Sequence, residues 1–113
     1  MESIGYVYLI SNTEEPVYKI GVTRCYEENR RLKNIQTGNS QKLKMLMTFG
    51  TSWPFRLESM LHNRFKEYRL LGEWFELPKE IVDDFDKICE QENNKIKALL
   101  DNPFFNKTLK KSL

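Results

Sequence analysis

The feature that most constrains the fold is a pair of β-type segments near the start of the chain. Residues 4–11 alternate between two faces and are rich in β-branched and aromatic side chains, a pattern typical of a strand. Residues 12–16 are mostly polar and end in proline, which indicates a turn. Residues 17–22 again favour a strand. This order predicts a β-hairpin over residues 4–22.

The register of the hairpin decides which of its side chains meet. We take Asn12 to pair with Val17 across the turn. Tyr8 then lies opposite Gly21, and Lys19 lies diagonally from Tyr8 on the same face. A phenol beside an ammonium group is poised for proton transfer, because a nearby cation favours the phenolate, and Gly21 leaves room for a substrate to approach the backbone. A slip of one residue would put Tyr8 and Lys19 on opposite faces. In an ordinary structural interpretation, Tyr8 is a sheet aromatic and Lys19 is a charge on an edge strand.

Helix and strand patterns follow the hairpin. Thr23 is the predicted N-cap and Gly38 the C-terminal stop of a first helix. Ser52 is the predicted cap of a second helix, which Pro54 enters in its first turn. The second helix has an apolar stripe at helical spacing, formed by Leu57, Met60, Leu61 and Phe65. The predicted elements are a helix over 25–36, a strand over 43–49, a helix from 52 that ends at Leu70-Leu71-Gly72, a short edge strand over 74–77, and an acidic helix from Pro78 to about 99.

These elements predict a small α/β (α+β) fold with a three-stranded, mainly antiparallel sheet flanked by helices. A chain of 113 residues has room for one core, which we assign to residues 1–100, and residues 101–113 form a basic tail that we expect to be flexible. No apolar run approaches the ~20 residues that span a bilayer. The first residues also lack the pattern of a secretory leader. We therefore expect an intracellular protein without a membrane partner.

The histidine and cysteine content excludes several metal sites. His62 is the single histidine, so a multi-histidine site and a HEXXH motif are both excluded. Cys25 and Cys89 are the two cysteines, and neither belongs to a CxxC pair. Zinc-ribbon proteins are therefore excluded as well.

The net charge of +2 conceals two blocks of opposite sign. From Val17 to Arg69 there are eleven basic and four acidic residues, a net charge of +7. From Glu73 to Glu92 there are two basic and eight acidic residues, a net charge of −6. A concentrated basic segment suits the phosphate backbone of a nucleic acid. Two solvated surfaces of opposite charge explain the same composition equally well.

Five short segments occur in a recognisable order along residues 4–77. In chain order they are GYVYLI (5–10), VYKIGVT (17–23), RLKNIQTGN (31–39), LESMLH (57–62) and GEWF (72–75). Together they resemble the GIY-YIG endonuclease superfamily, and most closely its small phage- and virus-type branch, where an E-x-x-L-H segment precedes G-E-W-F. The resemblance implies a GIY-YIG-type fold and a metal-dependent endonuclease that hydrolyses DNA phosphodiester bonds.

The resemblance also implies a role for each residue at a matching position. Tyr8 matches the tyrosine of the first signature and would act as general base, tuned by Lys19, which stands where the second signature usually has tyrosine. Arg31 matches the superfamily arginine, with its neighbour Arg30 as the alternative, and would brace the non-bridging phosphate oxygens. Glu58 matches the metal-binding glutamate and would hold one Mg²⁺ or Mn²⁺ with waters as the other ligands.

The remaining residues complete the implied site and its contacts with DNA. His62 lies one turn after Glu58 on the same helical face, where it could orient that carboxylate or contact a phosphate. Four basic residues are expected to bind the DNA backbone: Arg24, Arg30, Lys33 and Lys42. So small a chain shows no separate DNA-reading module, so we expect weak sequence preference, or targeting through a homodimer or another partner. The resemblance alone implies a role in viral or mobile-element DNA handling.

Each residue also has an ordinary structural interpretation. Glu58 would then be a solvated helix residue, Arg31 would pair with Glu27, and His62 would pack near the apolar stripe. Two other function classes therefore stay open. One is a nucleic-acid-binding module that has lost catalysis, which Lys19 in place of tyrosine favours. The other is a protein-interaction domain that uses the acidic helix.

Overall fold

A computed structural model of the protein describes residues 5–24 and 42–101. Outside the described residues lie the predicted helix over 25–36 and all but the first residue of the predicted tail. Three residues that we expect to contact phosphate also lie outside them: Arg30, Arg31 and Lys33.

The first hairpin forms in the register expected from the sequence. β1 (Gly5–Asn12) and β2 (Val17–Thr23) are antiparallel, with Tyr8 opposite Gly21. Lys19 therefore lies on the same face of the sheet as Tyr8. A Cβ atom at Gly21 would overlap the Tyr8 ring and its hydroxyl oxygen. The missing side chain of Gly21 thus accommodates Tyr8 and does not leave open space for a substrate at this point.

Within residues 5–24 and 42–101 the sheet has five strands, so the prediction of a three-stranded sheet is wrong. β3 (Leu43–Thr51) pairs with β1, while β4 (Arg69–Leu71) and β5 (Trp74–Glu76) form a second hairpin whose β5 strand pairs with β2. The strand order is β3-β1-β2-β5-β4, and every pairing is antiparallel. The strand expected at the sheet edge over 74–77 is therefore an inner strand. The strand at this edge of the sheet is β4, whose three exposed residues are too few to show a period in sequence.

The helices α1 (Pro54–Arg64), α2 (Lys79–Asp83) and α3 (Phe85–Leu100) follow β3 in the described residues. The predicted stripe of α1 is confirmed, because Leu57 and Leu61 are fully buried. None of the helices in the described part of the chain is long and apolar enough to cross a membrane.

Two helix boundaries differ from those predicted. Trp53, and not Ser52, is the N-cap of α1, which ends at Arg64 instead of continuing to Gly72. Phe65 then leaves helical geometry and stacks in the core on Phe85, with 6.3 Å between ring centroids. The acidic helix is interrupted at Asp84 (φ −101°, ψ 10°) and is therefore two helices. α2 has no buried residues, and the buried face of α3 begins directly after the break.

The main core lies between the helices and one face of the sheet. It contains Val7, Leu9 and Ile20 of the sheet with the buried faces of α1 and α3. A smaller cluster on the other face contains Tyr8 and Ile10, packed with Leu43, Met45 and Trp74. Successive residues of β1 thus belong to different clusters, as the alternation in the sequence predicted, and β1 is buried on both faces.

A bulge in β3 distributes its methionines between these two clusters. The pairing with β1 skips Leu46, so that neighbouring residues of β1 pair with Met45 and Met47. In a regular strand Met45 and Met47 would share a face. Here Met47 packs against the main core and Met45 against the smaller cluster.

Candidate metal and active site

The candidate site lies beside β2, where the second hairpin meets it. Ile20 N donates a hydrogen bond to Glu73 O (3.0 Å), one residue beyond the paired segments of β2 and β5. α1 packs against β2 here, and the His62 ring nitrogen Nε2 lies 2.9 Å from the carbonyl oxygen of Ile20. A carbonyl oxygen can only accept, so the proton is on Nε2, and in the neutral ring Nδ1 carries the lone pair. Phe75 contacts the same ring edge to face, with 4.9 Å between centroids.

Glu58, His62 and Glu73 form the ligand cluster of this site. Each offers one possible ligand atom, and these atoms all lie within 4.8 Å of one another. Glu58 and His62 are one turn apart on α1, a spacing that places both on the same helical face. Glu73 follows the turn between β4 and β5, where Gly72 has φ +57° and glycine adopts that conformation at low cost. All three ligand residues are half-buried.

Lys19 joins this cluster to the first hairpin. Its Nζ lies 2.8 Å from Glu73 Oε1 and 5.8 Å from the centroid of the Trp74 ring. The Lys19 side chain is 17% exposed and that of Glu73 is 36% exposed, so the pair is partly shielded from water. The ammonium group expected to tune Tyr8 is thus bound to a carboxylate that the sequence did not single out.

The two carboxyl groups of the cluster, Glu58 and Glu73, have pKa values shifted in opposite directions. Burial raises the pKa of Glu58 to about 7, helped by its hydrogen bond to Glu73 and by the charge of Glu73, while Lys19 acts in the opposite direction. Burial alone would raise the pKa of Glu73 as well. Hydrogen bonds with Lys19 and Glu58, together with the charges of Lys19 and His62, hold the pKa of Glu73 below its usual value. Without a metal, Glu58 is therefore the group that takes up the proton near neutral pH.

In its ionised form, Glu58 has one buried oxygen that lacks a partner. Two ionised carboxylates are both acceptors, and in that state Glu58 Oε2 is buried without a hydrogen-bond donor. A buried acceptor without a partner is costly. The oxygen can be satisfied by a proton, which allows a hydrogen bond to Glu73, or by a metal ion. A donor set of two carboxylates and one imidazole fits a divalent metal ion.

Comparison with known proteins places this chain in a defined family. The model of the T5orf172 domain matches residues 5–90, and the ligand cluster and Lys19 all lie inside the match. This chain belongs to the T5orf172 domain family. Uncharacterized protein 460R of Invertebrate iridescent virus 6 is 32% identical over 115 residues, covering 97% of this chain and 50% of that protein. The chain thus spans about half the length of this viral relative. No solved structure matches the chain.

Within this T5orf172 domain, Tyr8 is fully buried. Its side chain lies in the smaller cluster, and its hydroxyl oxygen lies against Gly21 of β2. It shares a sheet face with Lys19, as the register requires. The catalytic role of Tyr8 stays a prediction.

The two described basic residues that we expect to bind DNA lie at opposite ends of the sheet. Arg24 follows the last residue of β2, which pairs with Tyr6, whereas Lys42 precedes β3, whose first residue pairs with Asn12. At ~3.3 Å per residue, Tyr6 and Asn12 are roughly 20 Å apart along β1. Both side chains are exposed. They do not form one local patch.

Glu73 is the site residue that the sequence reasoning missed. It belongs to the GEWF segment, and it is also the first acidic residue of the negative block from Glu73 to Glu92. The signal available was its position between a turn glycine and a strand. Its approach to Lys19, 54 residues away in sequence, depends on the pairing of β5 with β2. Sequence periodicity does not reveal such a pairing.

Proposed function

We propose that this T5orf172 domain is a metal-dependent endonuclease of the GIY-YIG type that hydrolyses phosphodiester bonds in DNA. The proposal depends most on the buried oxygen of Glu58, which lacks a donor and lies close to two further ligand groups. The order of the five signature segments supports the reaction class. Membership of the T5orf172 family is consistent with a nuclease or DNA-binding role.

Glu58 would hold one Mg²⁺ or Mn²⁺ ion at this site. Such an ion supplies positive charge that polarises the phosphate and stabilises the charge that develops on its oxygens. Lys19 binds Oε1 of Glu73 through its salt bridge, which does not engage Oε2. Lys19 thereby keeps Glu73 ionised and oriented beside Glu58.

The protein groups divide the remaining chemistry. Tyr8, acting as a phenolate, would take the proton of the attacking water and become the phenol, and Arg31, or its neighbour Arg30, would brace the non-bridging oxygens. The hydrogen bond to the carbonyl oxygen of Ile20 fixes the ring of His62, which can then orient the carboxylate of Glu58. Because Tyr8 is buried, Tyr8→Phe is the informative variant, since it removes only the hydroxyl group.

DNA would be held through its phosphates. Arg24 and Lys42, spaced along the sheet, could each contact the backbone of an extended DNA, together with Arg30 and Lys33. Contacts of this kind make binding depend on salt concentration. We further propose targeting by a homodimer or a partner protein, and action inside a host cell in a viral or mobile-element context. The similarity to a viral protein supports that context.

A cleavage assay tests this proposal. Purified protein is incubated with labelled single-stranded, duplex and branched DNA in the presence of Mg²⁺, Mn²⁺ or EDTA. We expect metal-dependent cutting that Glu58→Ala abolishes while DNA binding is retained. Glu76→Gln is the matched control, because it removes an exposed carboxylate of β5 outside the cluster and should cut normally.

Two results would overturn the proposal. Cutting that persists in Glu58→Ala would show that the activity does not come from this site. No cutting on any substrate, with salt-sensitive binding retained, would identify a DNA-binding module without catalysis.

A further inference from the structure

We infer that His62 and Glu73 complete the Glu58 site as metal ligands, and that this three-residue site binds Mn²⁺ in preference to Mg²⁺. The inference rests on the proposed metal role of Glu58 but not on DNA cleavage. It can therefore be tested on the protein alone, and its outcome is separate from that of the cleavage assay.

His62 has the features of a pre-oriented nitrogen ligand. The hydrogen bond from Nε2 to Ile20 O (2.9 Å) fixes the tautomer, and the edge-to-face contact with Phe75 fixes the ring plane. Histidines that bind metals commonly donate a hydrogen bond from the N–H of the second ring nitrogen to a carbonyl or carboxylate in this way. Nδ1 then carries the lone pair that can bind a metal ion. One of the two ring nitrogens of His62 lies within 4.8 Å of an oxygen of each carboxylate.

Glu73 is held for the same role from the opposite side. Lys19 Nζ lies 2.8 Å from Oε1, which leaves Oε2 as the oxygen without that ion pair. The turn before it is fixed by Gly72, whose carbonyl oxygen accepts a hydrogen bond from Arg69 Nε (2.8 Å). The backbone oxygen of Glu73 is also bonded to Ile20 N (3.0 Å). Three contacts thus fix the position of Glu73, and only the salt bridge uses a carboxylate oxygen.

The donor atoms decide which ion is preferred. Mg²⁺ favours oxygen ligands in a near-ideal octahedron, keeps several waters and gains little from an imidazole. Imidazole nitrogen suits divalent transition metals, and Mn²⁺ accepts mixed oxygen and nitrogen donors. A site of two carboxylates and one imidazole therefore discriminates against Mg²⁺. Removing the imidazole should remove the preference.

Metal binding to the metal-free full chain tests this inference without DNA. Calorimetric titration and Mg²⁺ competition measured by Mn²⁺ electron paramagnetic resonance should show Mn²⁺ bound at least about tenfold more tightly. The bound Mn²⁺ should also show the nitrogen modulation of an imidazole ligand. In His62→Gln the side-chain amide can still donate to Ile20 O, but the ligand nitrogen is lost. We expect this variant to lose the nitrogen signal and the Mn²⁺ preference, with Mg²⁺ affinity little changed.

Glu73→Gln provides a second variant at an exposed turn, and it should weaken the binding of both ions by about tenfold or more. Glu76→Gln should bind both ions as the wild type does. Equal affinities of the wild type for Mn²⁺ and Mg²⁺, or a nitrogen signal that survives His62→Gln, would overturn the inference. Preferential Mn²⁺ binding by a protein that cuts no DNA would support it while refuting the proposed nuclease.

Discussion

At Glu58, a proton and the proposed metal ion would compete for the same carboxylate. Burial and the neighbouring Glu73 carboxylate raise the pKa of Glu58 to about 7, so the acid form is well populated near neutral pH when no metal is bound. Ionisation leaves its buried Oε2 without a donor. The ionised form that the proposed metal site requires therefore shares the population with the acid form near neutral pH in the metal-free protein.

This balance predicts how stability changes with pH in EDTA. The pKa of Glu58 is higher in the folded state, about 7, than the ordinary value of 4.5 that applies to the unfolded chain. Its stabilising contribution is fully present below pH 4.5 and is lost as pH rises through 7. Glu73, with its lowered pKa, acts below this window. In Glu58→Gln the group no longer titrates, so the variant should gain stability relative to the wild type from pH 5 to pH 8.

Urea unfolding at several pH values measures this difference. Glu76→Gln, which changes an exposed carboxylate, should follow the wild type. Parallel curves for the wild type and Glu58→Gln across the window would contradict the assignment of the proton to Glu58.

At the scale of elements, long periodic segments could be predicted and short or non-local ones could not. β1, β2 and the buried stripe of α1 follow from alternation and helical spacing, because burial repeats along each segment. For the same reason the sequence placed Glu58 and His62 on one helical face. β4 has three exposed residues and no period, and the site of Glu73 depends on which strand β5 joins. Those features are set by tertiary pairing.

The pairing of β1 with β2 predicts a strong effect of one methyl group. In Gly21→Ala the new Cβ would overlap the Tyr8 hydroxyl and ring, and Tyr8 is fully buried. Overpacking of this kind costs about 1–3 kcal/mol. Chemical denaturation should therefore show a lower free energy of unfolding for Gly21→Ala.

A double-mutant cycle identifies the cause. If the clash is with Tyr8, Gly21→Ala should cost less in a Tyr8→Leu background, because the shorter side chain does not reach Gly21. An equal cost in both backgrounds would show that the strain lies in the β2 backbone.

For the whole molecule, the cluster joins α1 to the second hairpin, two parts of the chain that are also linked through β2. Glu58 and His62 belong to α1, which is anchored in the main core by Leu57 and Leu61. Glu73 belongs to the second hairpin, whose outer strand is three exposed residues long. Short edge elements with exposed backbone open more readily than the core. We expect the second hairpin to be among the first described elements to open.

A bound ion should therefore protect this hairpin from proteolysis. Trypsin cleavage after Arg69 requires β4 to open, and the proposed ion would resist any opening that moves Glu73 away from Glu58 and His62. At a metal concentration 100 times the dissociation constant, about 2.7 kcal/mol is added to the cost of opening. Cleavage after Arg69, followed by mass spectrometry, should slow by about a hundredfold where it tracks the open population.

Glu73→Gln should lose most of this protection, since the hairpin then contributes no charged ligand. Metal that slows cleavage equally in the wild type and in Glu73→Gln would show that the ion acts elsewhere on the protein.

The separation of the ligands between a buried helix and an exposed hairpin has one more consequence. An ion held by both would couple its own occupancy to the position of the hairpin, and such coupling is reciprocal. DNA that favours the closed hairpin must then tighten metal binding by the same factor by which the metal tightens DNA binding. The protein would bind its metal ion most fully when DNA is in place, and chains without DNA would release the ion more readily.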